Sequence, residues 1–374
     1  MAQHTVFVTG GAGFVGSHCI VTLLEAGYDV VAIDNFINSV SERGNDGLLR
    51  APAIERVKQI TGKDVTFVEC DLLSIDDLRT VFKIKKIDSV IHFAAMKAVG
   101  ESMLQPFSYY RNNMIGAFNL LEVMKENDCY NLVFSSSCTV YGKPDYLPIT
   151  EEYPTGRVTN AYARTKFFVE EMLKDMSAAE KQWNIIILRY FNPVGAHPSG
   201  LIGEDPKKQF NIMPNIAKVA IGVRDKLMIF GNDYNTKDGT GVRDYTHIMD
   251  LASGHVAALA KLQQLHSGIK IYNLGNGKGV SVMRLVKTFE KVTGTKVPYE
   301  IKQRRQGDVD AIYTNCKLAE NELNWKAKHN LVQMCEDFWR WQTMNPDGYR
   351  SSNVISNKMS NAREANLASS VQRP

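Results

Sequence analysis

A glycine triad, Gly10-x-x-Gly13-x-x-Gly16, stands between an apolar run over residues 5–9 and a helical pattern near 13–26, and it constrains the fold more than any other feature. Glycines at this spacing permit a tight turn and close backbone approach to a pyrophosphate, which the following helix N-terminus receives. Phe14 and Val15 fill the positions before the third glycine. Asp34 ends the next apolar run, 24 residues after Gly10. A carboxylate there accepts hydrogen bonds from adenosine ribose hydroxyls and repels a 2′-phosphate, so NAD is expected rather than NADP. Asp71, after the third run, is either near the adenine or an exposed loop acid.

The rhythm around this triad is that of an α/β protein. Strands are predicted at 5–9, 29–33, 65–68, 88–93, 132–135 and 185–188, with helices near 13–26, 75–82, 107–127 and 162–181. Several strands are apolar on both faces, as parallel strands covered by helices must be. Residues 1–191 are therefore expected to form a doubly wound (Rossmann) parallel sheet with its ligand at the carboxyl ends of the strands. After Phe191-Asn192-Pro193 the alternation breaks, and residues 192–347 are read as a smaller C-terminal α/β substrate-binding lobe. Strands near 242–245 and 270–273 are candidates to rejoin the main sheet. Residues 348–374 are polar and rich in Ser, Asn and Ala, the composition of a flexible tail.

Several function classes are excluded by composition. A chain of 374 residues exceeds the ~250–300 at which one core stops growing, so one large or two joined domains are expected. A net charge of +4 without a basic run argues against nucleic acid. The six cysteines show no C-x-x-C pair, which suits a reducing, cytoplasmic setting. The eight histidines show no paired-ligand spacing, so no metal site is expected, and His247 and His255 are read as structural. No signal peptide is expected at the N-terminus, and no apolar run approaches the ~18–20 residues of a membrane span.

The chemistry-bearing residues follow the nucleotide turn. Tyr162 and Lys166 are four apart and so share a helix face. A phenol titrates near ~10, and an ammonium one turn away is expected to favour the phenolate. Ser137 closes the serine run at the end of the fifth strand, where a hydroxyl can bond a substrate oxygen and pass a proton to or from Tyr162.

These residues resemble the extended short-chain dehydrogenases/reductases that act on nucleotide sugars, and within them the 4-epimerase branch. The resemblance is carried by Val8-Thr9-Gly10-Gly11-Ala12-Gly13, Ile33-Asp34-Asn35-Phe36, Phe134-Ser135-Ser136-Ser137, Arg189-Tyr190-Phe191-Asn192-Pro193, Phe230-Gly231-Asn232-Asp233-Tyr234 and Asp238-Gly239-Thr240-Gly241-Val242-Arg243-Asp244-Tyr245. It implies reversible epimerisation at C4 of UDP-galactose and UDP-glucose. Tyr162 would take the 4-hydroxyl proton while NAD accepts the hydride, and the 4-keto sugar would then turn and take the hydride back on its other face. The resemblance places NAD against Gly10, Gly13, Phe14, Val15, Gly16, Asp34, Asn35, Phe36, Asn38, Ser39, Asp71, Leu72, Phe93, Lys97, Asn112, Ser135, Tyr162, Lys166, Tyr190 and Phe191. It places the UDP-sugar against Lys97, Ser137, Tyr162, Asn192, Asn211, Phe230, Arg243, Arg305, Asp308 and Ile312. A homodimer packed through two long helices per subunit, near 107–127 and 162–181, is implied as well.

Two departures bear on the sugar pocket. Phe210 replaces one of two family asparagines, and Ile312 stands where members carry either Tyr or Cys, which leaves acceptance of N-acetylated UDP-sugars open. The related 4,6-dehydratases carry Asp-Glu just after the serine; Cys138 and Thr139 cannot do that work. A silent nucleotide-binding partner built on the same fold is the other alternative.

Overall fold

The computed structural model describes residues 4–44, 47, 49–206, 211–305 and 308–350. Its centre is a sheet of seven parallel strands: β1 (Thr5–Thr9), β2 (Asp29–Asp34), β3 (Thr66–Glu69), β4 (Ser89–His92), β5 (Asn131–Ser137), β6 (Asn184–Tyr190) and β7 (Gly268–Leu274). Their spatial order is β7-β6-β5-β4-β1-β2-β3. The order reverses between β1 and β4, and a crevice opens at the carboxyl ends on either side of such a switch point.

Strand alternation decides which helices cover which face. Val6, Val8, Ile186 and Leu188 face one cluster with α1 (Phe14–Glu25), α2 (Pro52–Thr61) and α6 (Ile248–Leu262). Phe7, Phe134, Ile185 and Ile187 face the other, with α3 (Ile75–Phe82), α4 (Gly116–Glu126) and α5 (Ala161–Ala179). All of the strand residues just named are essentially inaccessible, and burying each large apolar side chain contributes roughly 1.5–3 kcal/mol.

The remaining residues form smaller sheets. Val242–His247 pairs with Asn192–Val194, Gly279–Ser281 and Ala311–Ile312, and Leu227–Phe230 pairs with Tyr299–Lys302. They pack on Ile212–Ala220, Val282–Thr293 and Leu331–Met344 through Met213, Ile216, Leu285, Phe289 and Phe338. Of the two segments that were candidates to rejoin the main sheet, the one near 270–273 does so as β7, in register with all of β6. The one near 242–245 stays in the second sheet.

Three differences from the sequence expectations have physical causes. The single helix expected at 107–127 is three pieces: Pro106–Tyr110, a π turn Arg111–Ile115, and α4. The π turn lets Asn113 reach inward, where it bonds Met96 N at 2.8 Å, Met96 O at 3.0 Å and Thr165 at 3.0 Å. Second, α2 went unpredicted, although Pro52 at its first turn and a left-handed Gly62 at its end are ordinary boundary signals. Third, the expected flexible tail does not begin at 348. Gly348–Arg350 form a 3-10 turn, and the buried Tyr349 hydroxyl donates to Gly203 O at 3.0 Å. Residues 351–374 of that segment, and Phe210, lie outside the described residues.

Candidate active site

The turn after β1 is built by close backbone approach. Gly10 has φ +70°, and a Cβ on it would stand 2.9 Å from Ala94 N; a Cβ on Gly16 would stand 2.2 Å from Gly10 O. Only glycine lets α1 start this close to the strand end. No side chain caps the first turn of α1, so its N–H groups and the positive end of the helix dipole face the crevice.

Asp34, buried at the end of β2, accepts from Ala12 N at 3.0 Å, Phe36 N at 2.9 Å and the Ser39 hydroxyl at 2.8 Å. Burial raises its carboxyl pKa against these three donors. The carboxylate is thus locked to the glycine turn, with further lone pairs for a ribose hydroxyl. Asn35 donates to Asp71 at 3.1 Å, and Asn38 donates to Ala95 O at 2.9 Å.

Together these residues wall a cleft of about 990 Å³, open to solvent. Of the residues expected against the cofactor, Gly10, Gly13, Phe14, Val15, Gly16, Asp34, Asn35, Asn38, Ser39, Asp71, Leu72, Phe93, Lys97 and Asn112 line it. Asp71 is therefore a cleft residue and not an exposed loop acid. Phe36, Ser135, Tyr162, Lys166, Tyr190 and Phe191 are not on its walls. Phe36 instead adopts a left-handed φ of 60° and packs against Phe67. Gly203, Asp205 and Tyr349 line the cleft without having been foreseen. They come from distant segments that clasp each other, Arg350 pairing with Asp205 at 2.8 Å.

The reaction centre is organised by α5 and the end of β5. The Asn160 side chain caps α5 by accepting from Ala163 N at 2.8 Å, which sets the register of Tyr162 and Lys166. Thr139 donates to the Ser137 oxygen twice, from its amide at 3.3 Å and its hydroxyl at 3.1 Å. The Ser137 hydroxyl also faces Tyr162 and favours its phenolate form. Burial pushes Tyr162 up to about 12, and the Ser137 bond opposes that rise.

This corrects one expectation. Lys166 was expected to lower the phenol, but its ammonium donates to Ser135 O at 2.6 Å and stands 5.0 Å over the Phe134 ring. Its own pKa is lowered to about 7 by burial. Tyr190 and Phe191 continue β6. The Tyr190 hydroxyl bonds His255, whose ring meets Phe93 edge-on at 4.8 Å. Phe191 is buried with Cys138, Val140 and Ile312.

On the far side, Lys97 pairs with the buried Glu204 at 3.2 Å, and Asn211 donates to the same carboxylate at 2.7 Å. Arg243 pairs with Asp308, and the Arg305 guanidinium lies 4.1 Å over Phe230. Asn192 Oδ1 is buried and has no hydrogen-bond partner among the described residues, a cost that a ligand donor would relieve. The structure thus groups Arg243 with Asp308, Arg305 with Phe230, and Lys97 with Asn211. Glu204 was not foreseen, its signal being only the first acid of Glu204-Asp205 in a glycine-rich loop.

Comparison with known proteins places the chain in a family. A family profile described as GDP-mannose 4,6 dehydratase matches residues 7–338. The chain is 54% identical to the UDP-glucose 4-epimerase of Homo sapiens over 345 residues, covering 92% of this chain and 98% of that one. The chain belongs to the UDP-glucose 4-epimerase family. Its fold superposes on the Bifidobacterium longum UDP-glucose 4-epimerase, solved with NAD+ and UDP, with a TM-score of 0.87 at 48% identity, covering 92% and 99% of the two chains. A Stenotrophomonas maltophila relative with bound NAD and formylated UDP-arabinopyranose gives 0.86 at 44%, covering 91% and 98%. The dehydratase chemistry named by the broader profile finds no acid pair after Ser137. Cys138 is a buried thiol pushed up to about 12, and Thr139 is committed to Ser137.

Proposed function

We propose that the chain interconverts UDP-galactose and UDP-glucose by redox epimerisation at C4, with NAD as a resident cofactor. The supporting observation is the grouping of Thr139, Ser137 and Tyr162, in which Thr139 donates twice into the Ser137 oxygen and Ser137 favours the Tyr162 phenolate. The uncapped start of α1 and the glycine cradle fit a pyrophosphate, and Asp34 fits the adenosine ribose. When bound, NAD supplies a hydride acceptor and donor for C4.

The protein's own part is proton transfer and orientation. Tyr162, a phenol with its pKa pushed up to about 12, acts as the base once deprotonated: it removes the 4-hydroxyl proton and later returns one, while Ser137 holds the substrate oxygen in line. Lys166, held by Ser135 O, places a cation beside this centre. Arg243 and Arg305 are planar donors suited to the UDP pyrophosphate, and Asp308 to the ribose. Asn192, Asn211 and Phe230 complete the substrate set. Ile312 belongs to the same buried cluster as Phe191, and UDP-N-acetylgalactosamine is the second substrate to be tested.

A homodimer completes the proposal. Leu104 and Phe107, 83% and 88% exposed, and the exposed Ile115, Phe118 and Phe168 sit on helices that contact one another, and a second copy would cover these apolar side chains. All six cysteines are free, which suits the cytoplasm, and among the described residues no helix is long and apolar enough to cross a membrane.

The test is chromatography of nucleotide sugars after incubating the protein with UDP-galactose, without added NAD. UDP-glucose from the native protein and none from Tyr162→Phe is expected. No conversion, even with NAD and UDP-N-acetylgalactosamine supplied, overturns the proposal in favour of a binding protein.

A further inference from the structure

Tyr162, Lys166 and Glu170 recur at intervals of four along α5 and share one face. The first two belong to the reaction centre; the third is completely buried and has no role assigned so far. Its carboxylate is fully engaged. Arg189, on β6, approaches it side-on with Nη2 at 2.6 Å and Nε at 3.1 Å, and the Ser136 hydroxyl donates to it as well. Arg189 is itself buried, stands opposite Ser136 in the β5–β6 register, and donates to the Tyr141 hydroxyl at 3.0 Å. Tyr141 in turn donates to Asn273 of β7 at 2.7 Å. One buried acid therefore ties three strands to the helix that carries Tyr162.

The serine run shows what this achieves. Ser136 is held by Glu170, while its neighbours Ser135 and Ser137 supply the carbonyl for Lys166 and the hydroxyl for Tyr162. A buried ion pair is weak evidence for stability, since desolvating both charges offsets much of their attraction. Its position behind Lys166 calls for another explanation.

We infer that Glu170 is a positioning residue: its carboxylate, one turn behind Lys166, keeps that side chain an ammonium and fixes the β5 serines against α5. This rests on the epimerase chemistry proposed above.

Burial alone disfavours the Lys166 charge, and Glu170 is the group that opposes it. The other groups facing Lys166 do not substitute. His92 of β4 is neutral, its pKa driven down to about 3, and Tyr162 on α5 is a neutral phenol with its pKa near 12. From β5 come only the Ser135 carbonyl and the Phe134 ring.

The test uses the NAD-loaded enzyme and compares native protein, Glu170→Gln and the doubly neutral Glu170→Gln/Arg189→Gln. Should the single variant fail to fold, the double variant removes the buried Arg189 charge that Glu170→Gln alone would leave unpaired. Two readouts are taken: kcat and KM between pH 6 and 9.5, and NMR titration of the 13C-labelled lysines, with Lys166 assigned from Lys166→Arg. The alkaline limb of kcat and the Lys166 resonance are expected to move down together by about 1 pH unit, with KM changed less than twofold. Variants that keep the native limb and the native Lys166 titration, and lose only thermal stability, overturn the inference. If the native protein converts neither sugar, the proposed function fails, and the NMR titration still decides for or against Glu170.

Discussion

Gly16→Ala tests the nucleotide turn at the point where geometry leaves least room. The new Cβ would stand 2.2 Å from Gly10 O, 2.9 Å from Gly11 Cα and 3.0 Å from Gly10 C. All three are backbone atoms, so no side chain can swing aside. Restoring ordinary contact moves the start of α1 away from the turn by about 1 Å. Alanine is the better helix former by about 1 kcal/mol, and in open space the exchange would stabilise. Here overpacking, at roughly 1–3 kcal/mol, outweighs that gain. The expected net loss is about 1 kcal/mol of stability. The same movement withdraws the first-turn N–H groups from the pyrophosphate, so NAD retention should fall at least ~10-fold, or about 1.4 kcal/mol. Gly100→Ala is the control, because nothing lies within 4 Å of its Cβ position. Thermal unfolding and the NAD content of purified protein read both effects. A Gly16→Ala protein with native Tm and full NAD content would refute the reasoning.

Other outcomes follow from the same structure. Tyr162→Phe should lower kcat by about 10²–10⁴-fold while NAD stays bound, measured by turnover and by cofactor content. Acid should destabilise the fold: burial holds His18 and His92 near 3 and His255 near 4, all below the 6.5 of a free histidine. The unfolded chain then binds more protons below pH 6.5, so stability is complete above that pH and is lost as pH falls through it. Asp244, raised to about 6, works the other way, and the net loss between pH 7 and 5 is on the order of 4 kcal/mol, read by denaturant midpoints. Phe107→Glu with Phe118→Glu should give a folded monomer in sedimentation, since both are among the exposed apolar side chains a second copy would cover.

The legible parts of the sequence were those set by local spacing. Gly10, Gly13, Gly16 and Asp34 lie within one βαβ unit, and their roles follow from turn and helix geometry that short stretches encode. Tyr162 and Lys166 were visible as a helical pair for the same reason. What escaped depended on contacts across the chain. The 3.6-residue period near 107–127 carries no sign of the extra residue per turn that places Asn113. Tyr349 sits in a polar segment, and its burial depends on Gly203, 146 residues away. The state of Lys166 could not be read from its spacing to Tyr162, because burial against Phe134 and the bond to Ser135 O decide it. Glu170 carries no signal of its own in Val169-Glu170-Glu171, because its place depends on Arg189, which stands opposite Ser136.

In the proposed epimerisation the hydrogen on C4 leaves the sugar and returns to the same sugar without exchange with water. The direct measurement converts UDP-galactose deuterated at C4 and locates the label in the UDP-glucose formed. The account predicts that deuterium stays at C4, with none in the water and none gained from heavy water in the converse experiment. Loss of the label to solvent during conversion would contradict it.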